Sequence, residues 1–357
     1  MRIPCKFRMG LALLAVLGAT GCVSRSPSAR IVKPLPSEPA KPPSPVPSRV
    51  VHHVPVLSEP VEPAEPVLSP EEQEALFRRV LSGQILLDRQ NFSCGCGDGV
   101  MGEKTRTALR AWQNEKGLPS TGEFDDETMA RLGEPETVFV RYTITEQDLT
   151  ELGETPTSWL EKSRLEKLNY ASLQELLAEK YHITQNTLSR LNPDVDWPDP
   201  PVGTEILAPD PTGKRVKQAA RIRIGLGRKT VRVYDAKGRL IALFPCSIAK
   251  DKTKRPSGVL HVAACAENPT YFFDPAVFPE DSEARSLGKK LVIPPGPNNP
   301  VGLAWIGLDR TGYGLHGAPH PEDIGKTESH GCFRLANWNA KKLVKMVYTG
   351  MPVLIEP

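Results

Sequence analysis

His316-Gly317 lies sixteen residues before Cys332, which sits in the string Ser329-His330-Gly331-Cys332-Phe333-Arg334-Leu335-Ala336-Asn337. These residue types can carry acyl transfer. A thiol attacks as its thiolate. An imidazole within hydrogen-bond reach can take the proton and later return one to a leaving amine. Glycines at 317 and 331 let the backbone approach closely, so amides near Cys332 can point at a developing oxyanion. Arg334 adds a planar cationic fork that suits a substrate carboxylate. A zinc site drawn from His316, His320, His330 and Cys332 competes for the same residues. Structural zinc sites favour paired ligands at short regular spacings, and only His316 and His320 approximate that. Neither a metal nor a cofactor is expected.

The segment that must position this pair reads as β structure. Arg221–Ile224 and Thr230–Tyr234 alternate, a turn at Asp235-Ala236-Lys237-Gly238 leads to Leu240–Phe244, and Gly258–Val262 follows a Pro-Ser-Gly turn. Short strands separated by turns favour an all-β sandwich or barrel over residues 219–357. Helical periodicity returns at Asn339–Tyr348, before a last strand at Pro352–Ile355. The long stretch Asn268–Pro300 reads as a lid or substrate-facing insertion. Its Tyr271, Phe272, Phe273 and Phe278 either line the cleft or pack the loop onto the sheet.

Two smaller units precede it. Over residues 70–134 three helices are expected: Glu71–Leu86, with Leu76, Val80, Leu81 and Ile85 on one face, then Thr105–Lys116 and Asp125–Leu132. Over 137–211, Val138–Ile144 alternates like a strand, Ser172–Tyr181 and Asn186–Pro193 read as short helices, and Val202–Pro209 closes the unit. Residues 22–69 are rich in Pro, Ser and Val, have no apolar period and read as a disordered tether. At ~3.1 Å per residue such a tether reaches on the order of 150 Å when extended.

The chain has 357 residues, 36 of them proline, and a net charge of +3, with Lys and Arg scattered. That balance gives no basis for nucleic-acid binding. Arg2, Lys6 and Arg8 precede a short apolar run, Met9–Ala19, which reads as an export signal over 1–21. Export implies an oxidising compartment, where Cys94, Cys96, Cys246 and Cys265 could pair; the pairing is not readable from sequence.

Four resemblances follow from these strings. Leu17-Gly18-Ala19-Thr20-Gly21-Cys22 resembles a bacterial lipobox, implying acylation of Cys22. Asp98-Gly99-Val100-Met101-Gly102-Glu103-Lys104-Thr105, with Trp112-Gln113 and Gly117-Leu118-Pro119, resembles the three-helix peptidoglycan-binding domain. Gly97 stands where that family usually has an aliphatic residue. Residues 137–211 are similar to a small α+β LysM repeat, without the Gly-Asp pair common before the first helix. The catalytic string, with Ile293–Gly302, Trp305-Ile306, Tyr313-Gly314-Leu315-His316-Gly317 and Gly350–Val353 in order, resembles the YkuD-like L,D-transpeptidase catalytic domain.

The last resemblance implies roles. Cys332 is the nucleophile, His316 the general base and acid, and the Gly317 carbonyl orients the imidazole. Backbone amides at His330, Gly331 and Cys332 form the oxyanion hole. Arg334, Ser329, Asn337 and Tyr313 meet the substrate. The implied partners are a peptidoglycan stem tetrapeptide as donor, an amine as acceptor, and a membrane through the lipid, expected to be the outer membrane facing the periplasm. A non-catalytic wall anchor would use the same modules but has no need of the Cys–His pair. A papain-like endopeptidase places its Cys before its His, the reverse of the order here.

Overall fold

Helix α1 (Pro70–Arg89) starts where the sequence supplies a complete stop for its free amides. Ser69 and Glu72 form a reciprocal capping box, and Pro70 occupies the first turn. Helices α2 (Glu103–Lys116) and α3 (Asp126–Leu132) complete the first unit. The computed structural model describes residues 68–326 and 331–357. The expected signal segment, Cys22, nearly all of the tether, and Ser329 and His330 lie outside the described residues.

One expectation for α1 needs correction. Leu76 is 48% exposed, and Phe77 takes the buried place, with Val80, Leu81 and Ile85. From Val80 to Asp88 every residue of α1 is buried, because the helix is covered by more than its own unit.

In the second unit, β1 (Phe139–Thr143) pairs antiparallel with β2 (Glu205–Pro209). Between them run the short α4 (Glu146–Leu149) and α5 (Trp159–Lys162), then α6 (Leu173–Lys180) and α7 (Gln185–Leu191). Ser172 and Thr184 cap α6 and α7. Gly97 marks where the first unit meets this one. Its N–H donates to the His182 carbonyl and its carbonyl accepts from Thr184 N–H. A Cβ there would press on Leu81 and Ile183 at 3.0 and 3.2 Å, so an aliphatic residue would push the units apart.

The C-terminal strands are β3 (Arg221–Gly225), β4 (Thr230–Tyr234), β5 (Leu240–Pro245), β6 (Gly258–Glu267), β7 (Tyr271–Phe273), β8 (Leu291–Ile293), β9 (Ala304–Leu308), β10 (Gly314–His316), β11 (Phe333–Arg334) and β12 (Pro352–Glu356). Helix α8 (Ser282–Leu287) falls between β7 and β8, and α9 (Asn337–Val344) follows β11. Eight strands form one sheet in the order β11-β10-β9-β6-β12-β3-β4-β5. Long β6 is shared: Gly258–His261 pairs with β12, and Val262–Glu267 pairs with β9.

The sheet curls until its two edges meet. Just past β5, Ser247 exchanges both backbone hydrogen bonds with Arg334, at 2.9 and 3.1 Å. This closure gives the barrel-like form expected from the short strands. Alternate residues Ile222, Ile224, Val231, Val233, Val353 and Ile355 fill the inside with Leu343 and Met346 beside them. Each such side chain contributes about 1.5–3 kcal/mol on burial.

The Asn268–Pro300 stretch is not a free lid. It contains the β7–β8 ribbon and α8, and the second unit clamps it. Trp159 stacks on Phe273 with ring centroids 4.2 Å apart. The Glu283 carboxylate accepts from Ser158 Oγ and from Trp159 and Leu160 N–H. Phe273 is therefore packing, while Phe272 is 74% exposed.

Residues 68–357 pack together rather than as beads on a string. At one junction Asp88 of α1 accepts from His182 Nδ1–H at 2.7 Å and from Lys342 Nζ at 2.8 Å. The His182 ring stacks on Trp338, 4.7 Å away. All three units contribute to that cluster.

Candidate active site

Strands β10 and β11 run parallel, with Leu315 opposite Phe333 and His316 opposite Arg334. Leu315 and Phe333 point into the hydrophobic core. Successive side chains alternate faces, so His316, Arg334 and Cys332, which precedes Phe333, share the other face. The strand pair is therefore the device that turns the spacing of the motif into a shared surface.

His316 is buried, and its Nδ1 lies 2.6 Å from the Gly317 carbonyl. A carbonyl can only accept, so Nδ1 carries the proton and Nε2 keeps its lone pair. Burial pushes the imidazole down to about 4, against the Gly317 hydrogen bond and helped by the Arg334 charge. Near neutrality it is an uncharged base. Trp305, its cross-strand partner on β9, stacks on it at 5.6 Å. Gly314 leaves room for that indole.

Cys332 is partly exposed, with its Sγ 3.4 Å from the Gly312 carbonyl. Burial raises the thiol to about 11, opposed by the Gly314 N–H. Burial thus disfavours the charged form of each group, the Cys332 thiolate and the His316 imidazolium. The Tyr313 ring lies beside Gly331. Tyr271 is pushed up to about 12, by burial first and then by the nearby Cys332. Tyr271, on the insertion clamped by the second unit, is thus within electrostatic reach of Cys332. Arg334 is half-buried, its backbone fixed by Ser247 and its charge favoured by Asp323 against burial.

Asn337 departs from its expected role. It is 0% exposed. Its Nδ2 donates to Glu179 at 3.0 and 3.2 Å and to the Pro297 carbonyl, while its Oδ1 accepts from Leu303 N–H at 3.1 Å. The side chain is committed inside the protein and offers no surface to a substrate. Sequence reading also gave no role to Trp305 or Glu179. Trp305 stands in the Trp305-Ile306 pair, and its alternation with the core residues Ala304, Ile306 and Leu308 marks it as facing away from the core. The one sign of Glu179 was a carboxylate three residues past Leu176 on the apolar side of α6.

Cys94, Cys96, Cys246 and Cys265 are buried thiols. Burial pushes Cys246 up to about 12 and raises Cys94 and Cys96 as well. Among the described residues no group of three or more His, Cys, Asp or Glu could hold a metal ion. No described helix is long and apolar enough to cross a membrane.

Residues 219–355, which run from the start of β3 into β12, match the family model "L,D-transpeptidase catalytic domain". Residues 79–132 match "Putative peptidoglycan binding domain". A Bacillus licheniformis protein named "Putative L,D-transpeptidase YkuD" is 26% identical over 51% of this chain and 93% of its own length. A Bacillus subtilis protein, "Putative L,D-transpeptidase YqjB", is 31% identical over 43% of this chain and 76% of its own. Among solved structures, "L,D-transpeptidase from Mycobacterium smegmatis" aligns at 23% identity with a TM-score of 0.30, over 43% of this chain and 63% of that one. His316 and Cys332 both lie within the matched region, and with a relative covered over three quarters of its length the chain belongs to the L,D-transpeptidase (YkuD) family.

Proposed function

We propose that the protein cross-links or modifies peptidoglycan through a thioester on Cys332. His316 Nε2 takes the thiol proton as sulfur attacks the carbonyl joining the third stem residue to D-alanine at position four. Backbone amides at His330, Gly331 and Cys332 hold the resulting oxyanion. The intermediate collapses as the C–N bond breaks, and the imidazolium gives its proton to the departing D-alanine amine. An acceptor amine then attacks the thioester, passing a proton to His316, and the thiolate leaves and is reprotonated. Arg334, Tyr313 and Ser329 meet the donor.

The observation that carries this reading is the β10–β11 register, which sets His316 opposite Arg334, two residues past Cys332, with Nδ1 already committed to Gly317. A neutral base and a neutral thiol suit proton transfer in the attack itself. The first unit and the LysM-like second unit would hold the enzyme to its polymer. A lipid on Cys22 and the tether would present it from the outer membrane to the periplasmic wall.

Intact-protein mass spectrometry of the full chain mixed with a carbapenem tests the chemistry. One adduct per chain is expected, and none on Cys332→Ala. No adduct on folded, reduced wild-type protein would leave the modules as a wall anchor without catalysis.

A further inference from the structure

The segment behind His316 is packed with little space to spare. Gly302 has φ +59°, and a Cβ there would collide with Asn337 Oδ1 and the Gly317 backbone; a Cβ on Gly317 would collide with the same oxygen. The Asn337 side chain is thus wedged against the turn whose carbonyl fixes His316 Nδ1. What holds Asn337 comes from another unit. Glu179, on α6, takes the Asn337 amide on both carboxylate oxygens and also accepts from Tyr170 OH at 2.9 Å. Both side chains are buried, Glu179 at 9% exposure and Asn337 at 0%.

The same unit supports this region a second time. Leu168 N–H donates to the Pro295 carbonyl, Asn298 N–H donates to the Leu168 carbonyl, and Asn298 Nδ2 reaches Glu175 and the Asn169 carbonyl. A cleft of about 380 Å³ has α6 on one side and Pro319–Glu322, the loop that follows His316, on the other.

We propose that Glu179 is a positioning residue for His316: through Asn337 it sets the Gly302–Gly317 contact that aims the imidazole. The second unit is then part of the active-site scaffold as well as a glycan-binding candidate. The acylation arm of the test below rests on the transpeptidase reading; the spectroscopic arm does not.

The full chain, labelled with ¹⁵N-histidine, is compared as wild type, Glu179→Ala and Glu179→Gln, with His316→Gln used to assign the His316 Nδ1–H resonance. Glu179→Ala is expected to shift or broaden that resonance and to slow carbapenem acylation of Cys332 on the order of tenfold or more. Glu179→Gln keeps an acceptor for Asn337 and is expected to retain both signals. Thermal melts identify any loss of folding. Should Glu179→Ala melt below the assay temperature, Glu179→Asp, which withdraws the carboxylate by one methylene, is expected to show the same shift and slowing. A wild-type resonance and rate in folded Glu179→Ala overturns the proposal, as does a Gln variant no better than Ala. Wild-type protein that shows the resonance but forms no adduct defeats the transpeptidase reading, while the resonance comparison still decides the role of Glu179.

Discussion

Two buried carboxylates reach α9 from different accessory units, and they behave in opposite ways. Asp88 meets Lys342 and His182; burial pushes its carboxyl up, but those two neighbours hold it well below the usual range. Glu179 is hydrogen-bonded by neutral donors, Asn337 and Tyr170, with Glu175 and Lys341 acting as weaker, opposed charges, and burial pushes it from 4.5 up to about 7. Depth is similar at the two sites. The charge of the partner decides whether the carboxylate is a fixed clamp or a titrating one.

The largest break in this comparison is expected from Asp88→Ala. It strands the partly buried Lys342 ammonium and leaves His182 without its acceptor, which costs up to about 3–5 kcal/mol, read as a fall in urea midpoint at neutral pH. A loss under about 1 kcal/mol would mean that the cluster is solvated and that the contrast with Glu179 is false.

Next in size is the pH dependence that Glu179 imposes. Between about 4.5 and about 7 the folded state keeps a proton that the unfolded chain has released, so stability falls as pH rises through that window. The total is about 3 kcal/mol at most. Glu179→Gln should flatten the slope in a series of urea titrations across it. Asp88 contributes the opposite sign and elsewhere: its stabilisation is present above the ordinary carboxylate range and is lost only as pH falls below it. The smallest effect is expected from Tyr170→Phe. Removing a hydrogen bond to a charged carboxylate costs about 1.5 kcal/mol at alkaline pH and less where Glu179 is protonated. Equal losses at both ends would show that Glu179 does not titrate in this range.

The candidate motif could be picked out as a unit because Cys332, His316 and the glycines lie within one short stretch from β10 to β11. The β-rich character of residues 219–357 was legible from alternation. Asn337 was misread because its partners, Glu179 and Leu303, are brought to it by tertiary packing that no period in the sequence records. Leu76 was misplaced for a similar reason. Periodicity assigns a helix one buried face, whereas α1 is enclosed by its own unit, by α9 through Lys342 and by the second unit through His182. The Asn268–Pro300 elements were missed because β7 and β8 are three residues each, too short to show alternation, and hold their shape against Trp159.

The contact of Gly302, Gly317 and Asn337 also bears on how such a sequence can drift. These positions stand on three separate segments of the chain, yet a methyl group at either glycine needs the Asn337 oxygen to move, and moving it releases both Leu303 and Glu179. Single changes at any of the three are closed off, so among descendants of this chain they should be inherited as a set, and Glu179 should vary with them.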